Sequence, residues 1–117
     1  VPTACATPGT ADFNGDGRAD IVWRNVSGQL SEWLGSASGG FSDNFANVNQ
    51  LVPTAWQIQG TGDFNGDGRA DILWRNVSGQ LSEWLGTANG GFAGNNGIVN
   101  QTVPNDWTIH IEDYQLI

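Results

Sequence analysis

The chain has 117 residues, twelve acidic and four basic, for a formal charge of -8, and its four arginines, with no lysine, form no basic patch. That balance argues against nucleic acid and anionic membranes as partners. No apolar run approaches the roughly 20 residues that span a bilayer, so membrane insertion is not expected, and a single cysteine, Cys5, allows neither an intrachain disulfide nor a zinc cluster.

In chain order, Val1–Cys5 opens the first of three segments spaced 51 residues apart, the others being Val52–Trp56 and Val103–Trp107. The acidic stretch Asp12–Asp20 follows, and from there Asp12–Phe41 repeats as Asp63–Phe92 with only Val22/Leu73, Ser36/Thr87 and Ser38/Asn89 different. The chain therefore divides into a single repeat domain of two units, 1–51 and 52–102, with a partial third over 103–117 that ends before another acidic loop. Within the second unit, Trp56–Gln59 alternates apolar and polar residues, and Ala70–Arg75 is a β-branched and aromatic run; both predict strands. Val77-Ser78-Gly79-Gln80 predicts a tight turn into the alternating strand Leu81–Leu85. A glycine-rich loop, 86–97, then leads to an expected fourth strand over Ile98–Val103, and an extra terminal strand is expected over 107–112. Seventeen glycines at short intervals disfavour helix. The expected fold is all-β: two four-stranded blades of β-propeller type plus the partial third unit.

Each acidic loop reads Asp-Phe-Asn-Gly-Asp-Gly-Arg-Ala-Asp, with side-chain oxygens at positions one, three, five and nine. Calcium takes six to eight hard oxygen ligands, and such a loop supplies them from one short segment. The expected ligands are Asp12, Asn14, Asp16, the Arg18 carbonyl and a bidentate Asp20, then Asp63, Asn65, Asp67, the Arg69 carbonyl and Asp71. Without a cation, converging carboxylates would repel by roughly 4 kcal/mol per close pair at an effective dielectric near 20. Two Ca2+ per chain would bring the charge from -8 to -4. Zinc and copper would call for histidine or cysteine, which the loops lack. An EF-hand would carry Glu at position twelve ahead of a helix, whereas Trp23 and Trp74 stand there inside apolar runs.

The run from Asp12 to Trp23, and its twin from Asp63 to Trp74, resembles the FG-GAP/VCBS repeat of integrin α-subunit propellers, fungal lectins and secreted bacterial proteins. The resemblance implies a β-propeller with calcium in the loop joining the first two strands of a blade, and a secreted or cell-surface protein. Two full units are fewer than the four to eight blades of a closed propeller, so a homo-oligomer is expected, a trimer of six blades before a tetramer of eight.

The remaining chemistry-bearing residues form no catalytic set. His110 has no nucleophile or acid beside it in any recognisable motif, and Glu32 and Glu83 occur once per unit without an acid/base partner. A non-enzymatic calcium-binding scaffold or binding module is expected. The alternative is a carbohydrate-binding lectin with Trp23, Trp33, Trp74 and Trp84 as a platform, against the plainer expectation that these rings pack between sheets. A protein or a glycan is the expected class of ligand. Asn25-Val26-Ser27, Asn76-Val77-Ser78 and Asn100-Gln101-Thr102 match the glycosylation acceptor pattern.

Overall fold

A computed structural model describes residues 6–109. It is all-β, with no helix among the described residues, and contains two four-stranded antiparallel sheets whose strands follow chain order. The first holds β1 (Ala6–Ala11), β2 (Asp20–Arg24), β3 (Leu30–Gly35) and β4 (Phe41–Asp43); the second holds β5 (Trp56–Gly62), β6 (Asp71–Asn76), β7 (Leu81–Gly86) and β8 (Phe92–Gly94). The expected strands at 56–59, 70–75 and 81–85 are β5, β6 and β7.

The fourth strand differs from expectation. It lies inside the glycine-rich stretch, at Phe92–Gly94, and Ile98–Val103 contributes only an isolated bridge from Thr102 to Gln80. Phe92 supplies the reason, since its ring packs on Trp84 at 6.0 Å and on Phe13 at 5.4 Å between centroids, anchoring the strand. The Ile98 and Val99 amides instead turn back onto the Asn95 carbonyl. The extra strand expected over 107–112 is not formed at 107–109, and 110–112 lie outside the described residues, as does Cys5.

The β2–β3 and β6–β7 turns show what the Asn-Val-Ser triplets do. The Asn25 side-chain oxygen accepts from the Ser27 amide and hydroxyl and from the Gln29 amide at 2.8–3.0 Å, and Asn76 repeats the pattern. This asparagine turn competes well with water because one acceptor satisfies three local donors. Gly28 follows at a φ of 96°, and a Cβ there would overlap the Val52 carbonyl oxygen, so only glycine fits.

Strand alternation decides how the sheets pack. Val22, Arg24, Leu30, Glu32 and Leu34 share one face of the first sheet, and Ile72, Trp74, Ser82 and Trp84 share the opposite-parity face of the second. These two faces meet. Val22, Leu30, Ile72 and Trp74 are at most 1% exposed, whereas their counterparts Leu73, Leu81, Ile21 and Trp23 are only half-buried. The Arg24 guanidinium bridges the sheets, donating to the carbonyls of Val52, Pro53 and Trp56 at 2.7–3.0 Å and lying 5.3 Å from the Trp74 ring centroid.

Glu32 is fully buried in this contact, and among the described residues only one of its oxygens is bonded, to the Asn44 side-chain amide at 2.8 Å. Burial pushes its carboxyl up from 4.5 to about 7, with the Asn44 bond opposing and the Asp20 charge adding. A carboxyl raised on folding stabilises the protein below the unfolded value, and that contribution is lost as pH rises through the folded value. Its full span is roughly 3 kcal/mol. The melting temperature of Glu32→Gln relative to the parent should therefore climb between pH 5 and pH 7.5; a difference that stays flat in paired thermal melts would contradict the buried-carboxyl account.

Candidate metal centre

The two acidic loops connect β1 to β2 and β5 to β6, and they sit beside each other: the Ala70 amide donates to the Asp12 carbonyl at 2.8 Å. In the first loop the Asp12 carboxylate accepts from the amides of Gly15, Asp16 and Gly17 at 2.8–3.2 Å. Asn14 accepts from the Asp16 amide at 3.3 Å. The Asp16 carboxylate takes the Arg18 amide at 2.9 Å and the Arg18 guanidinium at 3.2 Å. Asp63, Asp67 and Arg69 repeat these contacts, with the ion pair at 3.3 Å. Asn65 is exposed.

The ninth-position aspartates differ from the rest. Asp20 is fully buried; its Oδ2 accepts from the Phe13 amide at 2.9 Å and its Oδ1 from the Gly35 amide at 2.8 Å. Asp71 does the same with Phe64 and Gly86. One carboxylate thus fastens the start of its loop to its strand and to the end of the following hairpin. Burial raises the Asp20 carboxyl above its usual range, the two amides pull it back, and the charges of Asp16 and Asp12 push it further up; Asp71 stands in the same balance with Asp67 and Asp63. Asp16 and Asp67 are held low, chiefly by the Arg18 and Arg69 amides.

The three carboxylates of each loop are therefore close enough to feel one another's charge. Among the described residues, however, no three acidic, histidine or cysteine side chains converge tightly enough to form a finished metal cage. The donor chemistry suits a hard divalent cation: every candidate is an oxygen, three carboxylates carry the charge, and the bonded carboxylate oxygens keep a second lone pair except Asp12 Oδ1 and Asp63 Oδ1, each of which already takes two amides. What the repeat pattern alone did not reveal is the amide-stapling role of Asp20 and Asp71. The one signal for it was position, since each opens an apolar strand and so points into the sheet contact.

A family model described as the FG-GAP-like repeat matches residues 12–74, spanning the first loop, the first sheet's later strands and the second unit through Trp74. The chain belongs to the FG-GAP-like repeat family. No curated protein and no solved structure matches it.

The staple makes a prediction of its own. In chelator, Asp20→Ala strands one buried and one part-buried amide donor and should cost about 3 kcal/mol, whereas Asp16→Ala, at an exposed carboxylate, should leave the metal-free melting temperature nearly unchanged. Equal metal-free melts for the two variants would mean that the Asp20 bonds contribute nothing to folding.

Proposed function

We propose that the chain is a calcium-stabilised, non-enzymatic module of a secreted or cell-surface protein, in which each sheet serves as a propeller blade and each acidic loop holds one Ca2+. The observation that supports it best is the mutual charge of Asp12, Asp16 and Asp20 at one loop, repeated at Asp63, Asp67 and Asp71. Bound calcium supplies positive charge that relieves this repulsion. Asp12, Asn14, Asp16, the Arg18 carbonyl and Asp20 would hold the first ion, and Asp63, Asn65, Asp67, the Arg69 carbonyl and Asp71 the second. Asp20 and Asp71 pre-position the loops through their amide bonds, and Gly15, Gly17, Gly66 and Gly68, all at positive φ, let the chain wrap.

At a hundredfold excess over its dissociation constant each ion adds about 2.7 kcal/mol, so two independent sites add about 5.4 kcal/mol. Calorimetry should count two ions on the parent chain and one on Asp12→Ala, and the melting temperature should rise by many degrees from chelator to calcium. Coincident melts, or a single ion on the parent chain, would remove this reading.

A second reading, as a carbohydrate-binding module, is favoured by one cavity. A space of about 380 Å³ lies between the second sheet and the connecting segment 50–53, lined by Trp56, Trp74, Trp84, Ser82, Asn96 and Val52 among others. The buried Trp74 indole nitrogen beside it has no hydrogen-bond partner among the described residues. Aromatic faces with a few neutral polar groups suit a sugar ring, and among the described residues no charged side chain lines the space. A glycan array in calcium buffer should show binding that Trp84→Ala abolishes; an array without signal would leave the scaffold reading alone.

A further inference from the structure

We infer that the two sheet faces left unfilled among the described residues bind each other between copies, head to tail, through the same contact that joins the two sheets within one chain; the inference rests on reading the sheets as successive blades. The occupant of each face is a second copy of this chain.

The argument begins with near-identity. Because the units repeat with three differences over Asp12–Phe41, each sheet carries both halves of the contact, one on each face. Within the chain, the first sheet uses its Val22, Arg24, Leu30 and Glu32 face, and the second its Ile72, Trp74, Trp84 and Phe92 face. The halves left over are the second sheet's Leu73, Arg75, Leu81 and Glu83 and the first sheet's Ile21, Trp23, Trp33 and Phe41. They are the same two surfaces.

Exposure marks them as unfilled halves. Phe13 is 0% exposed against Phe92, while its twin Phe64 is 44% exposed; Phe41, the twin of Phe92, is 51% exposed. Added bulk tells the same story. A Cβ at Gly90 would meet Glu32 Oε1 and Asn44 Nδ2 at 2.8 Å, whereas one at Gly39 would meet nothing within 4 Å. The latch is also half built. Arg75 already donates to the carbonyls of Val103, Pro104 and Trp107 at 2.8–3.0 Å, as Arg24 does one unit earlier, but among the described residues no guanidinium lies over Trp23 as Arg24 lies over Trp74.

Repeating the internal contact between copies sets Arg75 over Trp23 of the next copy, Phe64 against its Phe41, and the Asp63 carbonyl in reach of its Ala19 amide. It also completes a second cavity like that of the second sheet, walled by Trp23, Ser31 and Trp33 and closed by Gln101–Pro104 of the neighbour. One bond is not reproduced. Asn89 donates to Asn47 at 3.1 Å within the chain, but Ser38 and Ile98 stand at the corresponding positions. The contact is heterologous, so it propagates until a ring closes.

Light scattering across a concentration series in calcium buffer tests this. The parent chain should weigh three or four times its 12.5 kDa. Phe41→Asp and Phe64→Ser each spoil one face, and each alone should shift the association midpoint at least tenfold toward the single chain. An equimolar mixture of the two variants retains one good interface and should form a pair of exactly two chains that grows no further. A monomeric parent, association that survives both substitutions, or a mixture that fails to pair would each overturn the inference. Thermal melts establish that the variants fold, and calorimetric ion counts on the parent chain report the calcium reading separately. Two ions on a monomeric parent would sink the interface alone.

Discussion

A buried carboxylate that bonds two backbone amides is the constraint on which each sheet depends. Asp20 receives the amides of Phe13 and Gly35, seven residues before it and fifteen after, and so ties the acidic loop, β2 and the end of β3 at one point. A charged acceptor without exposed surface is costly unless its lone pairs are used, and here the amides use them. The same atom group that closes the sheet also stands at the end of the loop proposed to hold calcium. Folding and the proposed calcium site therefore share a residue, and the amide bonds of Asp20 shape the loop without an ion.

From that point the packing follows by parity. Asp20 fixes which residues of β2 face the second sheet, placing Val22 and Arg24 inward and Trp23 on the far side. Since the second unit begins with the same stitch at Asp71, its strands present both faces in the same alternation, and what reaches the first sheet is the opposite parity, with Ile72 and Trp74 buried. Two copies of one sequence thereby occupy unequal environments. Glu32 is sealed beneath Gly90 while Glu83 keeps slight exposure, and Phe13 is sealed while Phe64 is not.

Much of this was legible in the residues. The repeat, its 51-residue spacing and three of the four strands per unit follow from alternation and turn chemistry, because those are local properties of a few neighbouring residues. The fourth strand was not legible. Phe92-Ala93-Gly94 is too short and too rich in small residues to alternate, and it is held by rings from Phe13 and Trp84 that sequence distance hides. The latch was equally hidden. Arg24 and Arg75 are conspicuous as two of only four cations, yet nothing in a linear pattern says that a guanidinium will seek carbonyls about 30 residues downstream. The acidic loops lay between these cases: their oxygen spacing was plain, while the amide bonds of Asp20 and Asp71 depend on hairpins closing around them.

Among the described residues, Arg24 and Arg75 bond only to main-chain oxygens. Such a clasp does not read the side chains it holds. Thr54 and Ala55 in one unit become Asn105 and Asp106 in the next, and the clasp closes on both with the same three carbonyl positions. Units can therefore drift apart at their leading segments without uncoupling from their neighbours. For a fold that grows by duplicating a segment, that indifference is what lets the copies diversify before they lose their grip.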